Sequence, residues 1–454
     1  MKAKRRQLQE LFEALADKGH MNGAVLAAQG GEILFKSAFG VADLADGRKL
    51  TTGSVFELAS LSKPFTAMGI VLLNEQGKLS YEDGVERWIP DFPYPGVTIR
   101  QLLCHTSGLP DYMGLLFEHG DRSKIADNGD VLRMLTEHRP PAYFVPNESW
   151  AYSNTGYVLL AIIAERVAGQ PFHDYLRDSL FRPLGMDSTR IHNRRHRPAH
   201  IADYAYGYVY DPHTGRHELP DRMPETDYVV FLDGIQGDGT VNSNLDDLFT
   251  FDRALHEGSF VGKQALEQVC TPVRLNNGDT FHYGFGWILE QTNDRGRVVS
   301  HNGGWPGYAT SMKRYIDRDM TLIYFGNMEQ QIEYEQAVLE AAEHILFGEP
   351  FEIPERAPDK KAANIDTAVY GQYAGNYRFD SAAEMTASIT IESGDRLYLQ
   401  ITGQVRFELY PYSPTRFFVR NLPVEIEFVA EAGSQAEKLV IYQDGQTDAA
   451  LRID

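Results

Sequence analysis

Cysteine is scarce in this chain of 454 residues, with Cys104 and Cys270 its only two. Two thiols cannot build a disulfide framework and their separation has no metal-ligand spacing, so both are expected to be buried thiols. Positive charge is also in deficit: 43 Lys and Arg face 63 Asp and Glu, for a formal net charge of -20. Nucleic acid and anionic membrane are therefore not expected as partners, because either would be repelled without a concentrated basic patch. A small-molecule or short-peptide substrate suits this charge better, and assembly into a homo-oligomer stays open. No window is apolar for long enough to cross a bilayer, which predicts a soluble protein. The basic start, Met1 to Arg6, is not followed by the apolar run of roughly 7–15 residues that a secretion signal needs, so the expected location is the cytoplasm. The chain also lacks internal repeats and any Gly-x-Ser-x-Gly elbow.

What is present is long enough for more than one core, since domains usually hold roughly 100–200 residues. Leu8, Leu11, Phe12 and Leu15 share one face of an amphipathic first helix. Apolar runs at 24–28 and 33–39 surround Gly30-Gly31 and read as a hairpin. Phe65, Met68, Val71 and Leu72 recur at helical spacing from Ser60 to Gln76, and a second such helix runs from Thr155 to Ala168, ended by Gly169. Runs at 285–289, 298–300, 309–315 and 320–325 predict an antiparallel meander, which a helix over 334–346 returns to cover together with the first helix. Pro350, Pro354 and Pro358 mark an extended linker. Beyond it, short alternating runs and turn residues, with no helical stretch, predict a small all-β barrel or sandwich. The expected class is α+β. Residues 1–350 form the first unit, 351–366 the linker and 367–454 the barrel.

Three short segments carry chemistry. Ser60 and Lys63 lie one helical turn apart, so a hydroxyl and an amine share a face, and a neutral lysine within hydrogen-bond reach can take the serine proton. Tyr152 and Asn154 flank Ser153 directly before a helix, where a phenol can serve as a second proton carrier. Ser300 to Gly304 ends an apolar strand, and the Gly303-Gly304 pair admits close backbone approach and leaves N–H groups free. Each also has a plain structural reading: an N-cap serine with a surface lysine, an N-cap after a core aromatic, and a bulge or turn with an exposed histidine.

Together and in this order, Ser60/Lys63, Tyr152/Asn154 and His301/Gly303 resemble the penicillin-binding protein and class C β-lactamase superfamily, in its His-x-Gly form. Leu102 to Leu109, containing His105-Thr106-Ser107-Gly108-Leu109, and the Gly237-Asp238-Gly239 stretch running to Asp247-Leu248 look like further segments of that family. The resemblance spans residues 5–347. It implies a helical region inserted into an antiparallel sheet flanked by helices, with the active site between them. It also implies that Ser60 attacks a carbonyl carbon to form an acyl-enzyme, that Lys63 and Tyr152 move protons, and that Asn154 bonds Lys63 and the substrate amide. The N–H groups of Ser60 and Gly304 would then form an oxyanion hole. His301 stands where carboxylate-binding members carry lysine, and a neutral imidazole holds an anion poorly. Esters, amides and peptides, D-amino-acid peptides among them, are thus expected ahead of β-lactams. The alternatives are a penicillin-binding or sensing protein acylated with little turnover, or a weak β-lactamase. Tyr370, Gly371, Tyr373, Gly375 and Tyr377 resemble the start of a lipocalin-like domain, which would shape the cleft or assist assembly.

No metal or cofactor is expected. His192, His196 and His200 recur every four residues, but Arg194, Arg195 and Arg197 would repel a cation and Pro198 breaks the helix, so a solvated basic loop is the better reading. The acidic stretch 233–247 lacks calcium-loop spacing. His105 and Ser107, followed by Gly108 and Pro110, read as a structural turn.

Overall fold

Helix α1 (Lys2–Asp17) leads into strands β1 (Gly23–Gln29) and β2 (Glu32–Phe39), joined by Gly30 and Gly31 with φ of +61° and +71°. That handedness matches the twist of a hairpin. The computed structural model describes residues 1–454 apart from 383, 393–394, 403–405, 432 and 444. The short strand β3 (Phe56–Glu57) precedes a 3₁₀ turn, Ala59–Ser62, and helix α2 (Lys63–Glu75). Helix α3 (Asn154–Ala168) lies against α2 and ends at Gly169 in the left-handed conformation, as its sequence predicts. Strand β4 (Val241–Ser243) pairs with β3. Strands β5 (Ile288–Thr292), β6 (Gly296–Trp305), β7 (Tyr308–Tyr315) and β8 (Met320–Gly326) form the meander, and helix α4 (Ile332–Phe347) closes this part of the chain.

The meander and the hairpin make one antiparallel sheet in the order β5-β6-β7-β8-β1-β2, with Leu26 opposite Ile323. Because side chains alternate across a strand, Val25 and Ala27 face α1 and α4, while Ala24, Leu26 and Ala28 face the core around α2 and α3. Burial on both faces explains why β1 reads as a continuous apolar run rather than an alternating one. Residues 349–366 carry neither helix nor strand. Eight strands, from Gly375–Phe379 to Gln446–Arg452, then close a barrel around Leu397, Leu409, Phe417, Ile426 and Leu439.

Four expectations need correction. The helix expected from Ser60 begins as a 3₁₀ turn and becomes α-helical only at Lys63, because Ala59 has φ +50° and breaks the helical path. The barrel is preceded by a 3₁₀ helix, Thr367–Gln372, where no helical stretch is expected. Cys270 is exposed at the C-terminal end of a short helix, Lys263–Val269, whereas Cys104 is buried. The basic loop is only partly solvated: His196 and His200 are exposed, but His192 is buried and Arg195 bridges Asp221 and Asp233. Carboxylates distant in sequence neutralise what looks like a solvated charge run. Among the described residues no helix is long and apolar enough to cross a membrane, and no group of three or more His, Cys, Asp or Glu is placed to hold a metal ion.

Candidate active site

Strand β3 delivers the chain to Ser60 through a bend that is held from three sides. The Leu58 N–H donates to Val241 O at 2.8 Å, the Leu61 N–H donates to Leu58 O at 3.2 Å, and Thr310 Oγ1 on β7 donates to Leu58 O at 2.7 Å. These bonds fix Ala59 at φ +50°, a conformation costing a non-glycine residue about 1–3 kcal/mol. Strain of this kind persists only where the surroundings over-determine it. The start of α2 is tied in turn to the loop 237–241, with Ser62 Oγ accepting from the Val241 N–H at 3.0 Å and Thr66 Oγ1 donating to Gly237 O at 2.6 Å. Gly237 has φ +109°, and a Cβ there would lie 2.4 Å from Tyr157 O on α3, so only glycine lets this loop close on the helix.

Lys63 is fully buried, and its Nζ donates to Ser60 Oγ at 3.1 Å, Asn154 Oδ1 at 2.8 Å and Asp238 O at 2.9 Å. An ammonium has three donors, so these contacts saturate it. The two carbonyl oxygens can only accept. When the amine is neutral its two remaining N–H bonds stay on them, and its lone pair is left for the one partner that can donate, the Ser60 hydroxyl. With the amine neutral, this arrangement can pass a proton from Ser60 to Lys63. The carboxyl group of Asp238 is turned away and accepts from Tyr112 OH at 2.9 Å. Burial raises its pKa, with Lys63 and the Tyr112 hydrogen bond opposing.

Ser153 caps α3, its Oγ accepting from the Gly156 N–H, so the capping reading of this segment holds for the residue between Tyr152 and Asn154. Tyr152 remains partly exposed, and its ring centroid lies 4.8 Å from Lys63 Nζ. Beneath it sits His105, buried and with φ +61°, whose ring centroid is 4.5 Å from that of Tyr152. His105 Nδ1 accepts from the Ser153 N–H at 3.1 Å, which places the ring proton on Nε2. Burial first, then Lys63 and His301, hold its pKa well below the ordinary value. His105 therefore props the Tyr152 loop as a neutral ring.

On β6, the neighbouring strand β5 stops where Ile288 pairs with Ser300, while β7 continues alongside to Trp305. His301 to Gly304 thus present one edge with no described strand of the sheet beside it. His301 is buried rather than exposed, with Nε2 3.1 Å from Tyr283 OH. Burial, then Lys63, lower its pKa to about 3, against the hydrogen bond with Asn302 O. It is neutral at any ordinary pH. The two glycines serve different ends. A Cβ on Gly303 would lie 2.1 Å from Leu58 O, so this glycine lets the strand press against the Ser60 bend, whereas a Cβ on Gly304 would meet nothing within 4 Å and faces open space.

Two cavities meet at Ser60 and Gly304. One, of about 540 Å³, is lined by Glu57, Asn154, Trp305, Glu335 and, from the barrel, Arg420 and Asn421. The other, of about 430 Å³, is walled by Trp150, Tyr152, Phe281, Tyr283 and His301. Sequence reasoning missed Glu57, Tyr283, Glu335 and Arg420. Glu57 and Tyr283 lie near recognised segments and Glu335 lies inside the helix predicted over 334–346, but none has a spacing that marks it. All the residues singled out from sequence (Ser60, Lys63, Tyr152, Asn154, His301, Gly303 and Gly304) come together at this junction.

Comparison with known proteins is consistent with this arrangement. Residues 8–346 match the family model Beta-lactamase. Penicillin-binding protein 4* of Bacillus subtilis (strain 168) is 56% identical over 449 residues, 99% of each chain. Among solved structures, the octameric penicillin-binding protein homologue from Pyrococcus abyssi shares the fold over 98% of this chain and 99% of its own, with a TM-score of 0.63 at 21% identity. D-amino acid amidase from Ochrobactrum anthropi SV3 is 25% identical, with a TM-score of 0.61 over 76% of this chain and 96% of its own.

Proposed function

The chain belongs to the Beta-lactamase family and is a serine hydrolase, and we propose that it acts through Ser60 on esters and amides, peptides with D-amino acids among them. Ser60 Oγ attacks the carbonyl carbon while its proton passes to Lys63 Nζ. The N–H groups of Ser60 and Gly304 hold the developing oxyanion. Tyr152 hands a proton to the leaving group, and an acyl-enzyme on Ser60 remains, which water releases. Asn154 keeps Lys63 oriented. His301 stays uncharged and acts through Tyr283 and the strand edge, so it offers no cation for the carboxylate of a β-lactam.

The observation that carries this reading is the lone-pair direction imposed on Lys63 by two carbonyl acceptors. Its test is labelling with a fluorophosphonate and turnover of p-nitrophenyl acetate, followed by mass spectrometry. Wild type should carry one adduct on Ser60, and Ser60→Ala should lose both labelling and at least about 10³-fold in kcat. Labelling or turnover that persists in Ser60→Ala overturns the reading.

The name of the Bacillus subtilis relative supports a second reading, a penicillin-binding protein that is acylated with little turnover. A stable penicilloyl adduct on Ser60, with ester turnover absent, would select it. We assign residues 1–350 to the hydrolase unit, 351–366 to a linker and 367–454 to a lipocalin-like domain whose Arg420-Asn421 turn shapes the cleft. The octameric Pyrococcus abyssi homologue supports an oligomeric assembly.

A further inference from the structure

The larger cavity beside Ser60 is acidic, and among the described residues Glu57 and one oxygen of Glu335 have no hydrogen-bond partner. Four acidic residues line it, Glu57, Asp238, Glu329 and Glu335, against one cation, Arg420. Asp238 is engaged by Tyr112 OH, and Glu329 by Arg420 and the Tyr210 N–H. Glu57 is 8% exposed, yet among the described residues no hydrogen-bond donor reaches its carboxylate. Glu335 Oε1 is likewise buried without a partner. Arg195 and Arg194 act on Glu57 from nearby, but their hydrogen bonds go to Asp221 and Asp233, and a buried carboxylate lacking hydrogen bonds costs several kcal/mol unless a positive group joins it directly. Burial, opposed by Arg195, raises the pKa of Glu57 to about 7, and burial with nearby Glu329 does the same to Glu335. Glu57 lies on the strand that leads into Ala59 and Ser60, so whatever it binds sits next to the nucleophile.

The other cavity indicates which half of the substrate this is. Tyr152, the proton donor to the leaving group in the reading above, lies in the aromatic cavity, which assigns the leaving group there and the acyl group to the acidic side. Trp305, Met113, Leu232 and Ile235 give that side apolar walls around its carboxylates. We propose that this cavity is a subsite for a primary ammonium carried on an apolar acyl group, with Glu57 as its main partner and Glu335 as a second acceptor. The site therefore selects acyl donors with a free amine and disfavours those with a carboxylate. The ammonium is either the α-amine of an N-terminal residue or the side-chain amine of a lysine-like residue.

This rests on the serine hydrolase reading, and the test separates the two. The full chain is assayed with leucyl p-nitroanilides of both stereochemistries, each with its amine free or acetylated, and with Nα-acetyl-lysyl p-nitroanilide; p-nitrophenyl acetate reports the hydrolase itself. A free ammonium should raise kcat/KM at least ten-fold over the acetylated leucyl compound. Leucyl preference assigns the α-amine, and acetyl-lysyl preference the side chain. In Glu57→Gln that ratio should collapse towards one, with a smaller loss in Glu335→Gln. In wild type, n-butylammonium should slow fluorophosphonate labelling of Ser60 where butyrate and n-butanol do not, a readout that needs no variant to fold. Ser60-dependent acetate turnover with no ammonium preference and no butylammonium protection overturns the subsite alone. Absence of any Ser60-dependent labelling or turnover overturns the hydrolase reading beneath it.

Discussion

Two basic side chains border the cleft, Lys63 buried and Arg420 partly buried, and their surroundings differ in kind. Lys63, in the hydrolase part, is bonded to a hydroxyl, a carboxamide oxygen and a backbone carbonyl, all neutral. Arg420, on a turn of the barrel, is bonded to the carboxylates of Glu225 and Glu329. Two of these acceptors, the Asn154 and Asp238 carbonyl oxygens, can be held by the two N–H bonds of a neutral amine. Carboxylates act differently: although burial pulls the Arg420 pKa down, Glu329 and Glu225 more than offset it, and the guanidinium stays charged. Lys63, the proton acceptor in the proposed reaction, is thus surrounded by dipoles, and Arg420, on the barrel, is surrounded by charge. Tyr410 OH adds 2.6 Å to Glu225, and His213 lies 2.7 Å from Glu408, so the barrel is fastened by several polar contacts of this kind.

The sharpest way to break this contrast is to put the permanent charge in the wrong place. Lys63→Arg puts there a cation that cannot deprotonate, and kcat for p-nitrophenyl acetate should fall by about 10²–10⁴-fold, the usual worth of a general base. Activity near wild type would remove Lys63 as the proton acceptor.

Next in size is Arg420→Ala, which strands two partly buried carboxylates. Breaking a fully buried pair costs about 3–5 kcal/mol, which is the upper bound here, to be read by calorimetry as a lower unfolding transition. An unchanged transition would show that Arg420 does not fasten the barrel.

The smallest effect is electrostatic. A Glu whose folded pKa is raised from 4.5 to about 7 holds its proton more tightly when folded. The stability this gives is full below about pH 4.5 and is lost as pH rises towards 7. At 1.36 kcal/mol per unit the upper bound is about 3 kcal/mol for Glu57. Unfolding midpoints in the absence of amines should therefore drop between pH 5 and pH 8, and Glu57→Gln should flatten the curve. A slope unaltered by Glu57→Gln would refute the unpaired carboxylate.

Much of the fold was legible because its signals are local. The face of α1, the Gly30-Gly31 hairpin and the meander each follow from side-chain period and turn chemistry within a few residues. The kink at Ala59 was not, because an alanine in the left-handed region is held there by β7 and by β4, far away in sequence. His301 was expected to be neutral, but it is its burial against Tyr283 that lowers its pKa to about 3. Arg195 read as solvated because its partners Asp221 and Asp233 lie on other segments.

Sequence alone determined which groups are the candidates for chemistry. Proton transfer needs a hydroxyl and an amine one turn apart, and that spacing is written directly at Ser60 and Lys63. Tertiary structure decided what surrounds those groups. Glu57 and Arg420 are separated by most of the chain, yet line one cavity, and the charge of a cavity is a sum over residues brought together only by folding. Such a sum has no local signature, because each contributor alone looks like an ordinary polar residue.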